Sequence, residues 1–451
     1  MSERETLRAV VVGGGISGLT AARDLVAAGY EVVVLEAADR PGGKIRRDLV
    51  GGVSLDVGAE AMVNRRPEGV GLARELGLPV VHPTGATSRI WTRGALRPLP
   101  RTLMGAPLDL DQLEASGILS PEGMVRARHR YSGGLPDSDV SVGEVVAEEY
   151  GEEVVDRLVE PLLGGVYAGY ARGISAQAAM PLLLDLARRG GIVEHASAVP
   201  TSDVPVFAGL AGGMGGLVDA LAAGLDVRTS TTVRSLERTT RGFRLTTGPV
   251  PAQELLEADL VVLGVPAAPS SRLLADLAPA AATELAAIDY ASMTVVTLAL
   301  PMTGLPPGME AASGFLVPPI DGRRIKAATF SFAKWDWVRE AGGDLALLRT
   351  SMGRLGDERT LQCSDDELVA ASLGDLREAV GLEAAPVDTH VQRWGGGLPQ
   401  YAVGHLDRVA RIRASVEKVP GLAVCGAAYD GVGIAACIAS GHAAAAALTD
   451  S

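Results

Sequence analysis

The sequence predicts an α/β fold with three parts: a parallel-sheet domain assembled from distant segments, a mixed-sheet domain and a helical insertion. Three observations lead to this prediction. A buried strand, a glycine-rich turn and a helix follow one another near residue 13, and the same order returns near residue 426. Between these two junctions, residues 105–206 show helical patterning with few β-branched runs.

Composition limits the class of protein. The chain has 451 residues, which at roughly 150 residues per domain allows two to three domains. Hydrophobic residues make up 47% and charged residues 21%, which excludes an intrinsically disordered chain. The net charge of −13 argues against nucleic acid as a partner.

Cysteine usage and apolar runs indicate the compartment. The three cysteines lie far apart, so we expect a reducing compartment, no disulfide framework and no metal site. The N-terminal residues have no signal-peptide pattern, and no run of about 18 apolar residues is present. The sequence predicts a cytoplasmic protein. Peripheral attachment to a membrane is the alternative, and the oligomeric state stays open.

The first element is a βαβ unit. Residues 9–12 predict a buried strand, and residues 19–28 predict a helix that stops at Gly29. A second buried strand is predicted over residues 31–35 and ends at Glu36. This order is typical of a doubly wound, Rossmann-like domain.

The later elements alternate between strands and helices. They are predicted as a β-meander over 227–247, a buried strand over 259–266, several strands over 294–349, a helix over 365–380, a strand over 422–425 and a helix over 434–448. The corresponding domains are a cofactor domain of residues 1–85, 208–290 and 395–451, a substrate domain of residues 86–104 and 291–394, and a helical domain of residues 105–207.

The first glycine turn indicates a dinucleotide site. In its GxGxxG pattern, Gly13 allows the sharp turn, Gly15 lets the backbone approach a pyrophosphate, and Gly18 lets helix and strand pack closely. The helix N-terminus supplies free N–H groups for phosphates, and Glu36 is the expected acceptor for ribose hydroxyls. The candidate contacts of the turn are Gly13, Gly14, Gly15, Ile16, Ser17 and Gly18.

A second pair of glycines favours FAD over NAD. Arg-Pro-Gly-Gly-Lys over 40–44 follows the acid, and Asp-Val-Gly-Ala-Glu over 56–60 repeats the theme. With Glu36, these segments resemble the extended FAD fingerprint of the flavin amine oxidase and porphyrinogen oxidase superfamily. Nicotinamide dehydrogenases ordinarily lack the Arg-x-Gly-Gly step. The resemblance therefore implies FAD, with further contacts from Arg40, Gly43, Lys44, Gly58, Ala59 and Glu60.

The C-terminal junction is the second cofactor anchor. Val432, Gly433 and Ile434 open a helix that in the superfamily faces the isoalloxazine ring. Its N-terminal dipole stabilises negative charge on a reduced flavin. Because no cysteine or histidine of this junction stands in a known flavin-linking context, we expect the FAD to be bound without a covalent link.

Further segments resemble oxygen-dependent porphyrinogen oxidases. The run RWGGGLPQYAVGH over 393–405 is similar to their R-W-x-x-x-x-P-Q-Y-x-x-G-H segment. Residues 214–217, 314–318 and 431–437 are similar to other family segments, so the likeness covers nearly the whole chain in order. By position in that family, Val233 is the backbone contact to adenine and Trp394 lies near the flavin.

The resemblance implies an FAD-dependent oxidase of heme biosynthesis that converts coproporphyrinogen III to coproporphyrin III, with O2 as acceptor and H2O2 as product. Arg89 stands where the family places an arginine for a substrate carboxylate, and Arg65 and Arg66 are further candidates. Since the flavin accepts the electrons, no side-chain base is required and no catalytic residue is predicted. Glu60 departs from relatives that carry arginine there, which puts their substrate orientation in doubt.

Alternatives stay open at this point. Protoporphyrinogen IX, with two carboxylates instead of four, is the alternative substrate. An amine oxidase or a carotenoid desaturase has the same fold, but the segment over 393–405 counts against both. A non-catalytic partner-binding protein does not need both flavin anchors, which this chain has. The helical domain is a candidate surface for passing tetrapyrrole to a membrane or to the next enzyme.

Overall fold

A five-stranded parallel sheet forms the centre of the first domain. The structure, a computed structural model, describes residues 7–129, 134–199 and 204–449. Every neighbouring pair of strands in this sheet is parallel. The strand order across the sheet is Asp226–Arg228, Glu31–Leu35, Arg8–Val12, Leu260–Leu263 and Leu422–Val424.

Helices cover both faces of this sheet, which explains its continuous apolar strands. The side chain of Val11 packs into the core of one face and those of Val10 and Val12 into the core of the other. The helices on the first face are Ile16–Ala27, Pro67–Glu75, Gly215–Ala222 and Ile434–Thr449. Those on the second face are Ala267–Leu274, Pro279–Ala286 and His405–Val416.

The first helix begins three residues before its predicted start. Gly15 is the N-cap, with an extended φ of −72° and ψ of 172°, and helical geometry begins at Ile16. The polar and small residues Ser17 and Gly18 concealed this start from a periodicity argument, although both are buried against the sheet.

The predicted meander over 227–247 is wrong at its beginning. Residues Asp226–Arg228 join the parallel sheet beside Glu31–Leu35. The meander consists of Val233–Arg238, Phe243–Thr247 and Glu254–Ala258, and all its pairings are antiparallel. A short run of three residues carries too little periodicity to distinguish a parallel edge strand from a hairpin strand.

A seven-stranded mixed sheet forms the second domain. Its strand order is Asp388–Pro399, Tyr290–Pro301, Leu345–Met352, Ala327–Thr329, Ala312–Leu316, Thr87–Thr92 and Ala95–Pro98. Only the pairing of Ala312–Leu316 with Thr87–Thr92 is parallel within this sheet. The strand Asp388–Pro399 runs unbroken across the predicted boundary between residues 394 and 395, because it pairs along its length with Tyr290–Pro301.

Short strands and helices connect the two sheets. The hairpin Arg47–Val50 with Val53–Asp56 and the three-stranded sheet Met62–Val63, Phe207–Leu210 and Val80–Val81 lie between them. The remaining helices of the second domain are Ser331–Lys334, Asp336–Gly342, Arg359–Gln362 and Asp365–Val380. The last has the predicted bounds because a capping box at Ser364 and Glu367 and a left-handed Gly381 mark its ends.

The insertion is helical, as predicted. Its elements are Leu110–Ser116, Pro121–Arg128, Val142–Tyr150, Glu152–Val154, the π-helix Val155–Val159, Glu160–Tyr167, Ala176–Ala179, Pro181–Arg188 and the 3-10 turn Ala196–Ala198, preceded by the short hairpin Thr102–Leu103 with Ala106–Pro107. These helices share one apolar core that includes Ile90 of the second domain. The predicted α/β fold class is therefore confirmed. Within the three described stretches, no helix is long and apolar enough to cross a bilayer.

Candidate functional site

A cavity of about 470 Å³ lies at the carboxyl ends of the parallel strands. This is the edge at which doubly wound sheets bind ligands, because loops and helix N-termini meet there. The segments that line the cavity come from opposite ends of the chain and include Gly13–Ser17, Gly42–Ile45 and Gly426–Ala428, followed by Val432 and Ile434. The two predicted glycine junctions thus form one site.

The first glycine turn is built for close approach. Gly13 has a φ of +104°, and a Cβ there would lie 2.9 Å from the Gly264 carbonyl oxygen. A Cβ on Gly18 would overlap the Gly13 carbonyl oxygen, so only glycine lets the helix start so close to the strand. Gly15 has open space where its Cβ would be, and it lines the cavity.

Glu36 holds the turn and also faces the cavity. Its two carboxylate oxygens accept N–H groups from Gly14 at 2.7 Å and from Ala38 at 2.8 Å. Each oxygen has a second lone pair, so two acceptor positions remain for hydroxyl groups. This geometry suits the predicted interaction with a ribose.

The second glycine pair packs directly onto the first. Gly42 donates its N–H to the Gly14 carbonyl oxygen at 2.8 Å, and a Cβ on Gly43 would lie 3.4 Å from the Gly15 Cα. Lys44 follows and lines the cavity half-buried. Burial lowers the pKa of Lys44. Since neither a hydrogen bond nor an ion pair of its ammonium is found among the described residues, this cation is available to an anionic ligand.

The C-terminal turn closes the other side of the cavity. Gly426 and Gly431 have φ values of +123° and +143°, and the helix Ile434–Thr449 follows. Tyr401 donates its hydroxyl to the Ala427 carbonyl oxygen at 2.6 Å, and the Ser440 hydroxyl accepts the N–H of Gly426 at 3.1 Å. These bonds fix a loop that carries three lining residues, Gly426, Ala427 and Ala428.

These features together fit FAD. Two helix N-termini, those at Ile16 and Ile434, open onto one cavity and provide N–H groups and positive dipoles. Lys44 adds a positive charge beside the glycine turns. Glu36, which accepts the N–H of Gly14, adds acceptors for hydroxyl groups. A dinucleotide diphosphate is bound by closely approaching backbone N–H groups and is favoured by a nearby cation, and both are present.

Eleven of the predicted FAD contacts line this cavity: Gly13, Gly15, Ile16, Ser17, Glu36, Gly43, Lys44, Ala59, Val233, Val432 and Ile434. Seven do not: Gly14, Gly18, Arg40, Gly58, Glu60, Trp394 and Gly433. Arg40 lines a separate surface depression and donates to the Arg47 carbonyl oxygen at 3.1 Å. A Cβ on Gly58 would overlap the Lys44 carbonyl oxygen and lie 3.1 Å from Trp394, so these two residues support the cavity wall from behind.

Glu60 belongs to a buried ion-pair network instead of the cavity wall. Its carboxylate lies 2.6 Å from the Lys334 ammonium and 2.6 Å from the Arg349 guanidinium. Burial alone would raise the pKa of Glu60, but the two cations outweigh it and lower the pKa to about 2. Arg349 also donates to the carbonyl oxygens of Asp56 and Gly58 at 2.9 Å each. The network therefore fixes the loop that presents Ala59 to the cavity.

The three predicted substrate arginines differ in their surroundings. Arg89 is half-buried on the strand Thr87–Thr92, opposite Phe315 of the mixed sheet. Its side chain has no hydrogen bond or ion pair within the part of the chain that the structure describes. Arg65 and Arg66 are exposed in the loop before the helix Pro67–Glu75. Of these three arginines, Arg89 is the one that is partly buried and has no partner among the described residues.

Sequence reasoning missed several lining residues. Gly264, Val265 and Pro266 follow the strand Leu260–Leu263, which is the immediate neighbour of Arg8–Val12. The rule that ligands bind at the carboxyl ends of parallel strands was sufficient to find them, because this strand was already predicted. Tyr290 and Arg272 also line the cavity, but no local pattern marks them.

Two residues of the PQY-x-x-GH segment, Gln400 and His405, make packing and hydrogen-bond contacts within the protein. His405 is buried and stacks on Tyr401, with ring centroids 3.9 Å apart. Burial lowers the pKa of His405 to about 4, so the ring is neutral near pH 7. Gln400 donates to the carbonyl oxygens of Tyr167 and Leu398, which ties the mixed sheet to the helical insertion.

Comparison with known proteins adds independent information. The sequence model of the family described as flavin containing amine oxidoreductase matches residues 16–449. The coproporphyrinogen III oxidase of Mycobacterium tuberculosis is 39% identical over 446 residues, covering 95% of this chain and 94% of the relative. That of Bacillus subtilis is 30% identical and 96% of each chain is covered. The crystal structure of a candidate protoporphyrinogen oxidase from an Exiguobacterium species has a TM-score of 0.88, 29% identity and 99% coverage of both chains.

Proposed function

The chain belongs to the flavin-containing amine oxidoreductase family, and we propose that it is an FAD-dependent coproporphyrinogen III oxidase. The observation that carries this proposal is the convergence of both glycine junctions, Glu36 and Lys44 on one cavity. That cavity accounts for the flavin, and the relatives named coproporphyrinogen III oxidase account for the substrate.

The geometry of the cavity supports particular residues as the ones that would hold FAD. Glu36 would accept the adenosine ribose hydroxyls, and the N–H groups at Gly15 and Ile16 together with Lys44 would bind the diphosphate. The helix N-terminus at Ile434 would face the electron-accepting ring. When bound, FAD supplies the two-electron acceptor for each of three successive oxidations of the macrocycle.

The protein's own part is to bind, orient and keep water away. Each step removes a hydride equivalent and a proton from the macrocycle, and no described side chain is needed to form a bond to it. Arg89 would pair with one propionate and so set the position of the ring system over the mixed sheet.

We also propose O2 as the terminal acceptor, with H2O2 as the product. Coproporphyrinogen III loses six electrons and six hydrogens, so the balance requires three O2 and yields three H2O2 for each coproporphyrin III. An oxygen electrode combined with porphyrin fluorescence measures this ratio directly. A stoichiometry near zero O2 per porphyrin would show that another acceptor is used.

The substrate assignment is tested by parallel assays. Purified protein is supplied with coproporphyrinogen III or protoporphyrinogen IX, and the product is followed by fluorescence. We expect a higher kcat/KM for coproporphyrinogen III. A clear preference for protoporphyrinogen IX would overturn the substrate while leaving the flavin oxidase intact, and turnover of neither would overturn the proposed function.

Protoporphyrinogen IX is the second candidate substrate. The likeness to the Exiguobacterium structure favours it, because that protein is described as a candidate protoporphyrinogen oxidase. The two substrates differ in the number of carboxylates, four against two. The cations that face the macrocycle therefore decide between them, since an unpaired carboxylate in a partly buried site costs roughly 1–3 kcal/mol.

A further inference from the structure

A group of buried charges lies where the helical insertion meets the mixed sheet. Lys326 is 5% exposed and Arg354 is 9% exposed, and both belong to the second domain. Glu160, 3% exposed, starts the helix Glu160–Tyr167 of the insertion. None of these three residues belongs to the flavin cavity.

The two cations have few partners. Lys326 donates to the Gly353 carbonyl oxygen at 2.9 Å, and its ammonium lies 4.0 Å from the Met293 sulfur. Arg354 donates from Nη2 to the Val317 carbonyl oxygen at 3.3 Å, a long bond. Its Nη1 is buried and has no acceptor within the described stretches.

The single acid of the group is already engaged elsewhere. Glu160 accepts the N–H of Ala171 at 2.9 Å through Oε1, and the same oxygen lies 3.7 Å from the Arg172 guanidinium. Arg172 in turn also pairs with Glu152 and Asp156. The Glu160 carboxylate attracts Arg354 electrostatically, but no hydrogen bond or ion pair joins the two among the described residues. The group therefore carries more buried positive charge than negative charge.

Arg354 packs under the helix Glu160–Tyr167, next to an exposed residue of that helix. A Cβ on Gly164 would overlap Nη1 of Arg354, so the guanidinium lies against the helix at that residue. The following residue, Gly165, is exposed, and a Cβ there would lie 3.9 Å from Leu316, which is half-buried. Arg354 thus contacts a helix residue, Gly164, whose neighbour in the chain, Gly165, is exposed.

The same group is close to the cofactor side of the mixed sheet. Met293, which contacts Lys326, is half-buried and is the cross-strand partner of Trp394. Trp394 packs behind the Gly58 segment that supports the cavity wall. A macrocycle that reached from the flavin to this seam would bring its rim to Lys326 and Arg354.

We propose that Lys326 and Arg354 form a subsite that binds one propionate carboxylate of the tetrapyrrole. This proposal rests on the proposed function. In it, Lys326 and Arg354 favour the substrate that has more carboxylates. A buried cation without a counter-charge is unfavourable, and an incoming carboxylate relieves this cost while receiving charge-assisted hydrogen bonds. Burial lowers the pKa of Lys326 to about 7, and the neighbouring charge of Arg354 adds to this effect, so a bound anion would also hold the lysine in its charged form.

The test compares Arg354→Met, Arg354→Lys, Lys326→Met and Glu160→Gln with both porphyrinogens. We expect Arg354→Met and Lys326→Met to raise the KM for coproporphyrinogen III about 10-fold and that for protoporphyrinogen IX less than about 2-fold. Arg354→Lys should recover part of the loss. Glu160→Gln removes the competing negative charge, so we expect it to leave this KM unchanged or lower it.

Glu160→Gln distinguishes substrate binding from a structural role. If these charges only held the helical insertion against the mixed sheet, removing the acid would be as harmful as removing either cation. Arg359→Met, at an exposed arginine, is the matched control and should change neither KM. Flavin content and thermal unfolding verify that each variant folds. If Arg354→Met does not fold, the test uses Lys326→Met instead. Its affinity for coproporphyrin III is then measured by equilibrium fluorescence titration.

Two results would show that the subsite is wrong. In the first, Arg354→Met and Lys326→Met raise the KM for both porphyrinogens by the same factor. In the second, Glu160→Gln raises the KM for coproporphyrinogen III as much as Arg354→Met does. These results differ from failure of the proposed function, in which the unaltered protein oxidises neither porphyrinogen. Even then, coproporphyrin III binding that is insensitive to Arg354→Met and Lys326→Met would overturn the subsite by itself.

Discussion

The two sides of this molecule offer different chemical groups to a ligand. On the flavin side, backbone at glycines such as Gly13, Gly15 and Gly43 lines the cavity or supports its lining, beside the side chain of Lys44. On the mixed-sheet side, the groups that we propose for the substrate are the charged side chains of Arg89, Lys326 and Arg354.

This difference determines what a substitution does on each side. At Gly13 and Gly18 the neighbouring backbone leaves no room for a side chain, and at Gly15 a side chain would enter the cavity itself. A charged side chain contributes a graded free energy that depends on its partners and its burial. We therefore expect all-or-none losses on the flavin side and measurable changes of affinity on the substrate side.

The largest effect is expected from Gly15→Val. The valine side chain would project into the cavity where the diphosphate is expected, so we expect less than about a tenth of the flavin to remain bound. Visible absorbance of the purified protein measures the flavin-to-protein ratio. Gly71→Ala, in an exposed helix position with free space, is the control and should stay yellow. Full flavin occupancy in Gly15→Val would contradict the placement of the site.

Lys44→Met tests the only charge that we assign to the diphosphate. A charge-assisted hydrogen bond is worth roughly 1.5–3 kcal/mol, so we expect the Kd for FAD to rise about 10- to 100-fold. Fluorescence titration of flavin-free protein gives the constant. Lys418→Met, at an exposed lysine, should leave it unchanged. Equal affinities in Lys44→Met and the parent would assign the diphosphate to backbone alone.

Arg89→Ala tests the substrate side directly. We expect the KM for coproporphyrinogen III to rise about 10-fold, equivalent to about 1.4 kcal/mol, with a smaller change in kcat. The reason is that a propionate contact far from the reacting carbon contributes equally to the ground and transition states. Arg65→Ala should cost less than about 3-fold, since Arg65 is exposed. Steady-state fluorescence kinetics that show no dependence on Arg89 would remove it from the site.

The smallest effect concerns Glu60 and acid. Because the folded-state pKa of Glu60 is about 2, below its ordinary value of 4.5, its contribution to stability is present above pH 4.5 and falls as the pH drops toward 2. Between pH 6 and pH 3.5 we expect the protein to lose about 1 kcal/mol of unfolding free energy that Glu60→Gln does not lose. Urea unfolding at both pH values measures this difference.

A neighbouring acid titrates in the same pH range. Burial raises the pKa of Asp56 to about 6, which gives the opposite pH dependence. Because the charge of Glu60 contributes to that shift, the effect of Asp56 cancels only in part between the two proteins and makes the expected difference smaller. Glu340→Gln, at an exposed acid, should follow the parent. Identical slopes for Glu60→Gln and the parent would show that the Glu60 network carries no pH-dependent stability.

The sequence predicts the flavin side better than the substrate side for a physical reason. Glycine at Gly13 and Gly18 is dictated by local sterics, so a short motif reveals both the fold and the cofactor. Such motifs also placed the strand and helix of each junction to within about three residues. Where the chain's tertiary partners decide, as for the strand Asp226–Arg228 in the parallel sheet, local patterns failed.

Charged residues follow the same distinction. Nothing in the sequence around Glu60 shows that Lys334 and Arg349, distant in the chain, would draw its carboxylate away from the cavity. Likewise Arg40 follows the cofactor acid closely in sequence but is bonded to the Arg47 carbonyl oxygen. The helix Glu160–Tyr167 packs against the Arg354 guanidinium and so contributes to its burial, which no local pattern encodes.

The order of the lining segments along the chain has a consequence for biosynthesis. Residues 426–437 follow every other segment that lines the cavity, and the helix Ile434–Thr449 packs against Ile16–Ala27. A growing chain therefore carries the first glycine turn for almost its entire translation without a complete pocket. We expect ribosome-stalled chains that end near residue 400 to bind no FAD, and chains that release residue 449 to bind it at once. Flavin uptake would then report that translation has passed the last turn.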